Sequence, residues 1–423
     1  MQKDAGCTAQ SGNAAGTRER AMNVAEARQH ILDLLSPVAG WESIAIRSAL
    51  DRILARDVVA PFDVPAHDNS AMDGYAVRAA DLADEGDTRL QVVGTALAGG
   101  AFSGIVGPGQ AVRIMTGAVI PRGADTVIVQ EVVSVDGDEL RVPAGQKAGQ
   151  NLRRAGEDLA RGKTALAAGK RIGPAELGLL ASLGYAEVPV RRRLRVAFLS
   201  TGDELASIGR PLAPGEVYDS NRYTLFGALT RLGADILDMG VVRDDPEEME
   251  RAFSAAAASA DVVITTGGVS VGEADFVKDM TARLGQVNFW KINIKPGRPM
   301  AFGRIGDAWL FGLPGNPVAV MVNFYQFVAD ALLKLAGMDP LPARPVFRVP
   351  CASIIRKFPG RREFPRGVLY EEEGTWKVRL CGNQGSGVLR SMSDANCFIV
   401  LGESQGNVTV GDSVEVQLFE GLL

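Results

Sequence analysis

Histidine is scarce in this chain, with two residues in 423, His30 and His67. That scarcity decides one pattern at once. Gly268-Val269-Ser270-Val271-Gly272 fits G-x-S-x-G in a strand-to-helix setting, the arrangement of a hydrolase nucleophile elbow. Such a serine needs a histidine base later in the chain, and both histidines come before Ser270. Serine nucleophile chemistry is set aside. Cysteine is equally thin: Cys7, Cys351, Cys381 and Cys397 are scattered, with no C-x-x-C pair. A Cys/His metal site is disfavoured, and the thiols read as reduced ones in a cytoplasmic protein. No segment carries a G-x-G-x-x-G or a full G-x-x-x-x-G-K-S/T pattern, so neither a dinucleotide fold nor a P-loop is indicated. Long basic runs are missing and the formal net charge is −5, which argues against a broad nucleic-acid footprint. Residues 1–20 lack an apolar core and read as a polar, disordered extension, not a signal peptide. The most apolar later stretch, Pro317 to Ala336, carries Asn323, Gln326, Asp330 and Lys334 and reads as a domain helix, with no membrane span expected.

What is abundant is glycine, 49 residues, beside a hydrophobic share of 46%. The excess over the usual ~7% favours turn-rich β modules alongside any α/β core. A chain of this length holds several domains. Asn23 with Glu26 predicts a capping box opening a helix on which Val24, Ala27, Ile31, Leu34 and Leu35 share a face. A second short helix is expected around Ser48–Arg56. Beyond Pro61 and Pro65, β-branched runs at Leu90–Val93, Gln110–Met115, Thr126–Val133 and Glu139–Val142 are separated by Gly and Asp turns. Gly173-Pro174-Ala175-Glu176 starts another helix, with Gly184 as its stop.

From Leu194 the period changes. Strands are expected at Leu194–Leu199, Ala234–Val242, Asp261–Thr266 and Val287–Ile294, alternating with helices through Leu225, Leu229 and Leu232 and over Pro246–Ala260. Asn316 and Pro317 begin a closing helix. After Pro340, Pro342 and Pro345, short alternating strands return. The expected fold is multidomain α/β. Residues 1–21 form the extension. Residues 22–191 form an N-terminal helical region with a β module inserted at about 62–150. Residues 192–338 form a three-layer α/β/α domain with a parallel-dominated sheet, and residues 339–423 a C-terminal β-barrel.

Ligands of open α/β sheets bind beyond the carboxyl ends of the strands. Acidic residues recur there: Asp203 and Glu204, then Asp244 and Asp245, then Glu273 and Asp275. Carboxylates gathered at one edge repel unless a divalent cation or donors hold them, and hard oxygen ligands suit Mg2+ bridged to phosphate. Taken singly, each is also an ordinary helix-N-terminal acid. The glycine-rich turns, Gly267-Gly268 to Ser270 and Gly272, and Gly312-Leu313-Pro314-Gly315-Asn316-Pro317, present backbone N–H groups to an anion. Lys291 and Lys295, four apart in one expected strand, project from the same face, and Lys295-Pro296-Gly297-Arg298-Pro299 stiffens the backbone beside those turns. Paired cations next to N–H loops suit a phosphate or another tetrahedral oxyanion. The residues alone point to an Mg2+-assisted enzyme, or a binder, for a phosphorylated small molecule.

Six blocks then carry a resemblance: Asn69 to Ala76, Arg113 to Ala118, Ser200 to Leu205, the 265–275 loop, Lys295 to Pro299, and Gly312 to Pro317. In order and in content they resemble the molybdopterin molybdenumtransferase (MoeA) family, whose relatives include the gephyrin E domain, from about residue 22 to the C-terminus. The resemblance implies an Mg2+-dependent transferase of molybdenum cofactor biosynthesis. Molybdenum from molybdate enters adenylylated molybdopterin, and AMP is released. It carries Asp73, Thr116, Asp158, Glu204, Asp244, Asp275, Lys291, Lys295, Pro314 and Pro317 over as functional positions. Glu204 and Asp275 handle Mg2+ or pterin phosphate, and the lysines hold phosphate or molybdate. It also implies a homodimer in which the N-terminal half of one subunit completes the partner's site, and transient contact with other cofactor-biosynthesis proteins. Arg366 and Arg390, in the C-terminal module, are further candidates to line the cleft, though they read better as β-turn and surface residues. Thr265-Thr266 and Arg298 depart from the family pattern while keeping hydroxyls and a cation. An adenylyltransferase, a nucleotide hydrolase and a non-enzymatic scaffold built on the same central domain are the competing readings.

Overall fold

The structure is a computed structural model that describes residues 21–268 and 283–420. The chain divides into two compact units, one continuous over Trp41–Val190 and one built from the residues before Trp41 and after Val190.

In the continuous unit, a six-stranded sheet runs Thr126–Val129, Gly74–Val77, Gln110–Ile114, Thr88–Ala96, Glu139–Val142, Ser134–Asp136. Successive side chains point to opposite faces, so Tyr75 and Val77 enter one core while Ala76 enters another. A third core gathers Leu54, Val58, Ile172, Val188 and Val190 around the helix Pro174–Ser182. Glu176 accepts from Gly173 N at 3.0 Å, and Gly184 follows at φ +77°, as the sequence led one to expect. The helix expected at Ser48–Arg56 does not form. A single 3-10 turn covers Ile46–Ser48, Asp51 takes φ +62°, and Ile53 and Leu54 pair as β-bridges. A left-handed residue and extended pairing both interrupt helix growth. Gly162-Lys163-Thr164 has the ending of a phosphate-loop pattern. Glu157 stands where its first glycine belongs, and the segment runs into the strand Thr164–Leu166 instead of a helix.

In the other unit, the sheet order is Asp235–Val242, Arg195–Thr201, Val262–Thr266, Ala308–Leu313, Pro299–Ile305, Gly285–Lys291. Val196 and Phe198 pack on one face with the helices Val24–Leu34 and Asn221–Arg231, while Ala197 and Leu199 meet the helix Pro246–Ser259 on the other. The capping box is present: Asn23 Oδ1 accepts from Glu26 N at 2.8 Å, and Glu26 Oε2 from Asn23 N at 3.1 Å. The first three pairings are parallel and the last two antiparallel. The antiparallel edge corrects the expected continuation of parallel strands. Its cause is a tight hairpin at Gly306-Asp307, with Ile305 opposite Ala308 and Gly306 at φ +55°.

A second correction concerns the lysines. Lys291 ends its strand, Asn293 N turns aside to Met22 O, and Ile294–Lys295 pairs separately with Arg362–Glu363. Lys291 and Lys295 therefore do not share a strand face.

The helix beginning at Pro317 runs to Leu335 with a π turn at Phe324–Val328. Among the described residues it alone is long and apolar enough to cross a membrane, and here it fills the core. Its one buried carboxylate, Asp330, is held by Arg28 and by Arg344 at 2.7 Å. The C-terminal strands form an antiparallel sheet ordered Phe347–Pro350, Ser413–Leu418, Cys397–Val400, Arg366–Glu372, Thr375–Leu380. A bridge between Cys351 and Val378 brings its two edges together.

Candidate functional site

A cavity of about 1080 Å3 opens at the carboxyl ends of the parallel strands. Three of these strands deliver a turn to it: Thr201 and Glu204 after Arg195–Thr201, Gly267 and Gly268 after Val262–Thr266, and Pro314, Asn316 and Pro317 after Leu313. Lys295 and Arg298 supply one side, and Glu363, Arg366 and Gln384 close it from the C-terminal sheet.

Two glycines permit this convergence. Gly267 sits at φ +90°, and a Cβ there would lie 2.5 Å from Thr201 O. Gly297 sits at φ +89°, where a Cβ would meet Asn323 Nδ2 at 2.1 Å; that amide donates to Gly297 O at 3.0 Å. Asn221 Nδ2 donates to Gly315 O at 2.8 Å and ties the Gly312–Pro317 turn to the start of the helix Asn221–Arg231. Asn316 holds the N-cap position, though its side chain makes no cap bond. Thr201 Oγ1, Asp219 Oδ2 and Asn221 Oδ1, all in lining residues, are buried without a hydrogen-bond partner.

The charges are unevenly compensated. Arg366 is 1% exposed. Its Nε donates to Ser391 Oγ at 3.0 Å, and its Nη2 to Gly385 O at 3.1 Å and Asn383 O at 3.4 Å. Among the described residues no carboxylate pairs with it, and burial pushes its guanidinium below the ordinary arginine value. Gln384 brackets its backbone, accepting from Arg366 N at 2.8 Å and donating to Arg366 O at 3.1 Å. Lys295 differs, since its Nζ lies 3.1 Å from Glu363 Oε2. At the acidic edge, Asp244 N donates to Asp203 Oδ1 at 3.3 Å. Burial first, then the charges of Asp203 and Glu204, push the Asp244 carboxyl above its usual range. Carboxyl groups alone make up this cluster, a donor set suited to Mg2+ and poor for softer metals. Among the described residues no three His, Cys, Asp or Glu groups are arranged to hold a metal by themselves.

The expected site residues divide clearly. Glu204, Gly267, Gly268, Lys295, Pro314, Asn316 and Pro317 line the cavity, whereas Lys291 and Asp244 do not. Ser270, Gly272 and Asp275 lie outside the described residues. Asp73, Thr116 and Asp158 belong to the Trp41–Val190 unit. There Asp73 Oδ1 accepts from Thr116 N and Oγ1, both at 2.7 Å, and these bonds hold its carboxyl below the ordinary range. Asp158 is exposed, with its backbone N bonded to Val64 O at 3.1 Å. Arg390 is a surface residue paired with Asp394, as expected. Of the two readings of Arg366, the turn residue preferred from the sequence is corrected and the cleft-lining one stands: it is a buried cation of the cavity wall. Glu363 and Gln384 were missed, and no local pattern marks either.

Comparison with known proteins follows the same outline. Residues 22–184 match the MoeA N-terminal region (domain I and II), residues 197–334 a probable molybdopterin binding domain, and residues 348–419 the MoeA C-terminal region (domain IV). The chain is 45% identical over 400 residues to molybdopterin molybdenumtransferase of Haemophilus influenzae, covering 94% of this chain and 98% of that protein. It is 35% identical over 390 residues to the Bacillus subtilis protein of the same name, covering 89% of each. Among solved structures, the crystal structure of the molybdopterin biosynthesis MoeA protein from Pyrococcus horikoshii superposes with a TM-score of 0.81 at 30% identity, over 95% of this chain and all of that one.

Proposed function

Because this chain belongs to the molybdopterin molybdenumtransferase (MoeA) family, a transferase family of molybdenum cofactor biosynthesis, we propose that its cavity inserts molybdenum from molybdate into adenylylated molybdopterin and releases AMP. The observation that carries this reading is Arg366. A guanidinium removed from water with no carboxylate partner among the described residues is unfavourable until an anion supplies the missing charge, and its Nη1, the nitrogen that Ser391, Gly385 and Asn383 do not engage, can donate to a tetrahedral dianion.

The roles of the other residues follow from their chemistry. Lys295 supplies a second, movable cation. The turns at Gly267-Gly268 and Pro314–Pro317, the latter at the start of the Pro317–Leu335 helix, offer N–H groups to the phosphates of the pterin nucleotide. The unpartnered Thr201, Asp219 and Asn221 atoms suit a ligand rich in N–H donors such as a pterin. Glu204, with Asp244 and Asp203 behind it and Asp275 from the 265–275 loop, would hold Mg2+, which supplies charge neutralisation for the substrate phosphates. The mutual repulsion of Asp203, Glu204 and Asp244 supports a cation there.

We propose the domain layout 22–191, 192–338 and 339–423, the last a barrel closed near Cys351 and Val378. The active form is a cytoplasmic homodimer in which Asp73 and Thr116 of one copy serve the cavity of the other. Asp158 and Lys291 are carried by the family resemblance as further functional positions.

The test measures AMP release from adenylylated molybdopterin with Mg2+, with and without molybdate. Molybdate-dependent AMP release with cofactor formation is the expected result. Tight pterin binding without AMP release would withdraw the reading in favour of a carrier or an earlier-step enzyme.

A further inference from the structure

Lys295 and Glu363 stand directly opposite each other in the short parallel pairing of Ile294–Lys295 with Arg362–Glu363. The two side chains live in different surroundings. Glu363 is 10% exposed and Lys295 55%. The backbone of Glu363 is fixed on both sides. Its N donates to Leu401 O and its O accepts from Leu401 N, both at 3.0 Å, while Phe364 N donates to Lys295 O at 3.0 Å. Behind the carboxylate lies Lys357, a buried lysine whose Nζ donates to Gln405 O at 2.8 Å and which feels the charge of Glu363. The acid is therefore anchored, and the long, half-exposed lysine is the partner free to leave.

We infer that Glu363 is a positioning residue for the oxyanion step. It holds Lys295 beside the cavity while the site is empty and gives it up to the incoming oxyanion. The inference rests on the reading of the cavity proposed above. Among the described residues Lys295 has a carboxylate partner and Arg366 has none, so a dianion meets in Arg366 a buried, uncompensated charge. Lys295 then exchanges a carboxylate for the dianion, and Glu363 keeps Lys357 as its neighbour. No bond to carbon, phosphorus or metal changes in this exchange; one ion pair replaces another. Two opposed effects follow from removing the acid. The dianion loses a repulsive neighbour, and Lys295 loses the contact that aims it.

The experiment compares wild type, Glu363→Gln, Glu363→Asp, Lys295→Ala and the Lys295→Ala/Glu363→Gln double variant in molybdate-dependent AMP release, with melting curves as a check on folding. Glu363→Gln should lower KM for molybdate by roughly threefold, because a like charge is gone. It should lower kcat on the order of tenfold or more, because the lysine is no longer aimed. Glu363→Asp should recover most of kcat. In the Lys295→Ala background, Glu363→Gln should change kcat no further. Unchanged kcat and KM in a folded Glu363→Gln protein would overturn the inference, as would additive losses in the double variant. If Glu363→Gln does not fold, the same comparison is made with Glu363→Asp, whose kcat should fall between wild type and Lys295→Ala; equality with wild type at unchanged KM would then overturn it. Failure of the cavity reading is a separate result, visible as wild type that releases no AMP in response to molybdate.

Discussion

Replacing Arg366 with methionine should weaken oxyanion binding at least about thirtyfold and leave the fold about as stable as before. The guanidinium has three hydrogen bonds, two of them near 3.0 Å and one at 3.4 Å. Bonds to a charged group contribute about 1.5–3 kcal/mol each, so the two good ones offer roughly 3–6 kcal/mol. Against this stands the desolvation of an ion 1% exposed with no carboxylate beside it among the described residues, also several kcal/mol. The two terms nearly cancel, and methionine adds apolar packing at similar volume. An oxyanion, in contrast, would lose one partner of a buried charge pair, a loss of about 2–5 kcal/mol, or roughly thirtyfold to several thousandfold in affinity. Calorimetric melting with and without molybdate reads both quantities together. At about 100 times its dissociation constant, a ligand adds about 2.7 kcal/mol to wild type, a rise of several degrees in Tm. The variant should melt close to ligand-free wild type and show at most about a third of that rise, since a thirtyfold weaker site at the same concentration adds about 0.9 kcal/mol. A molybdate shift equal to that of wild type would refute the reasoning. So would a ligand-free loss well beyond ~2 kcal/mol, since the cation would then be a structural element and not a receptor.

Asp244→Asn should melt higher than wild type near neutral pH. The Asp244 carboxyl is pushed up by burial and by Asp203 and Glu204, so wild type loses stability as pH rises through the ordinary value of 3.8 toward the raised one. The asparagine variant escapes that loss, and its advantage should grow between pH 3 and pH 7; melting curves with no pH-dependent gap would count against the cluster. Gly297→Ala should cost about 1–3 kcal/mol by forcing a side chain into a left-handed backbone, with further loss from the displaced Asn323 amide. Unchanged urea midpoints would show that the turn relaxes freely. Cys397, whose thiol burial pushes up to about 12, should resist iodoacetamide at pH 8.5 until denaturant is added. Mass mapping that finds it labelled at equal rates in folded and unfolded protein would contradict its burial.

Local chemistry made much of this fold readable. The Asn23 capping box, the parallel strands ending at Thr201 and Thr266, and the glycine turns at 267 and 312–317 each depend on neighbours within a few residues, and the structure places them where their patterns point. The failures share a different origin. Pro299–Ile305 begins with proline and follows a Pro-Gly-Arg-Pro bend, so its strand character appears only when Ala308–Leu313 pairs with it. Arg366 precedes a glycine that resembles a turn residue. That glycine is needed because Cys397 Sγ and Val378 Cγ2 would lie 3.1 and 2.9 Å from any Cβ there. Neither contact is visible along the chain. Glu363 likewise acquires its meaning from Lys295, 68 residues earlier. The acid-rich sheet edge was legible because Asp203 and Glu204 follow Thr201, and Asp244 and Asp245 follow Val242, within a few residues, whereas the site's cations arrive from separate segments, Lys295 with Arg298 and then Arg366.

One unit of this protein is stitched from both ends of the chain, and synthesis proceeds from one end only. The helix Val24–Leu34 emerges first, yet Arg28 finds its carboxylate at Asp330, 302 residues later. At about 5–20 residues per second, that interval is roughly 15–60 s of translation. Throughout it, Val24, Ala27 and Ile31 have no core to enter, while Trp41–Val190 completes and folds as a continuous piece. The early helix is thus a waiting segment, kept tolerable in water by its capping box and a polar outer face. Its docking is the late event that turns a tethered, half-finished sheet into a closed hydrophobic interior.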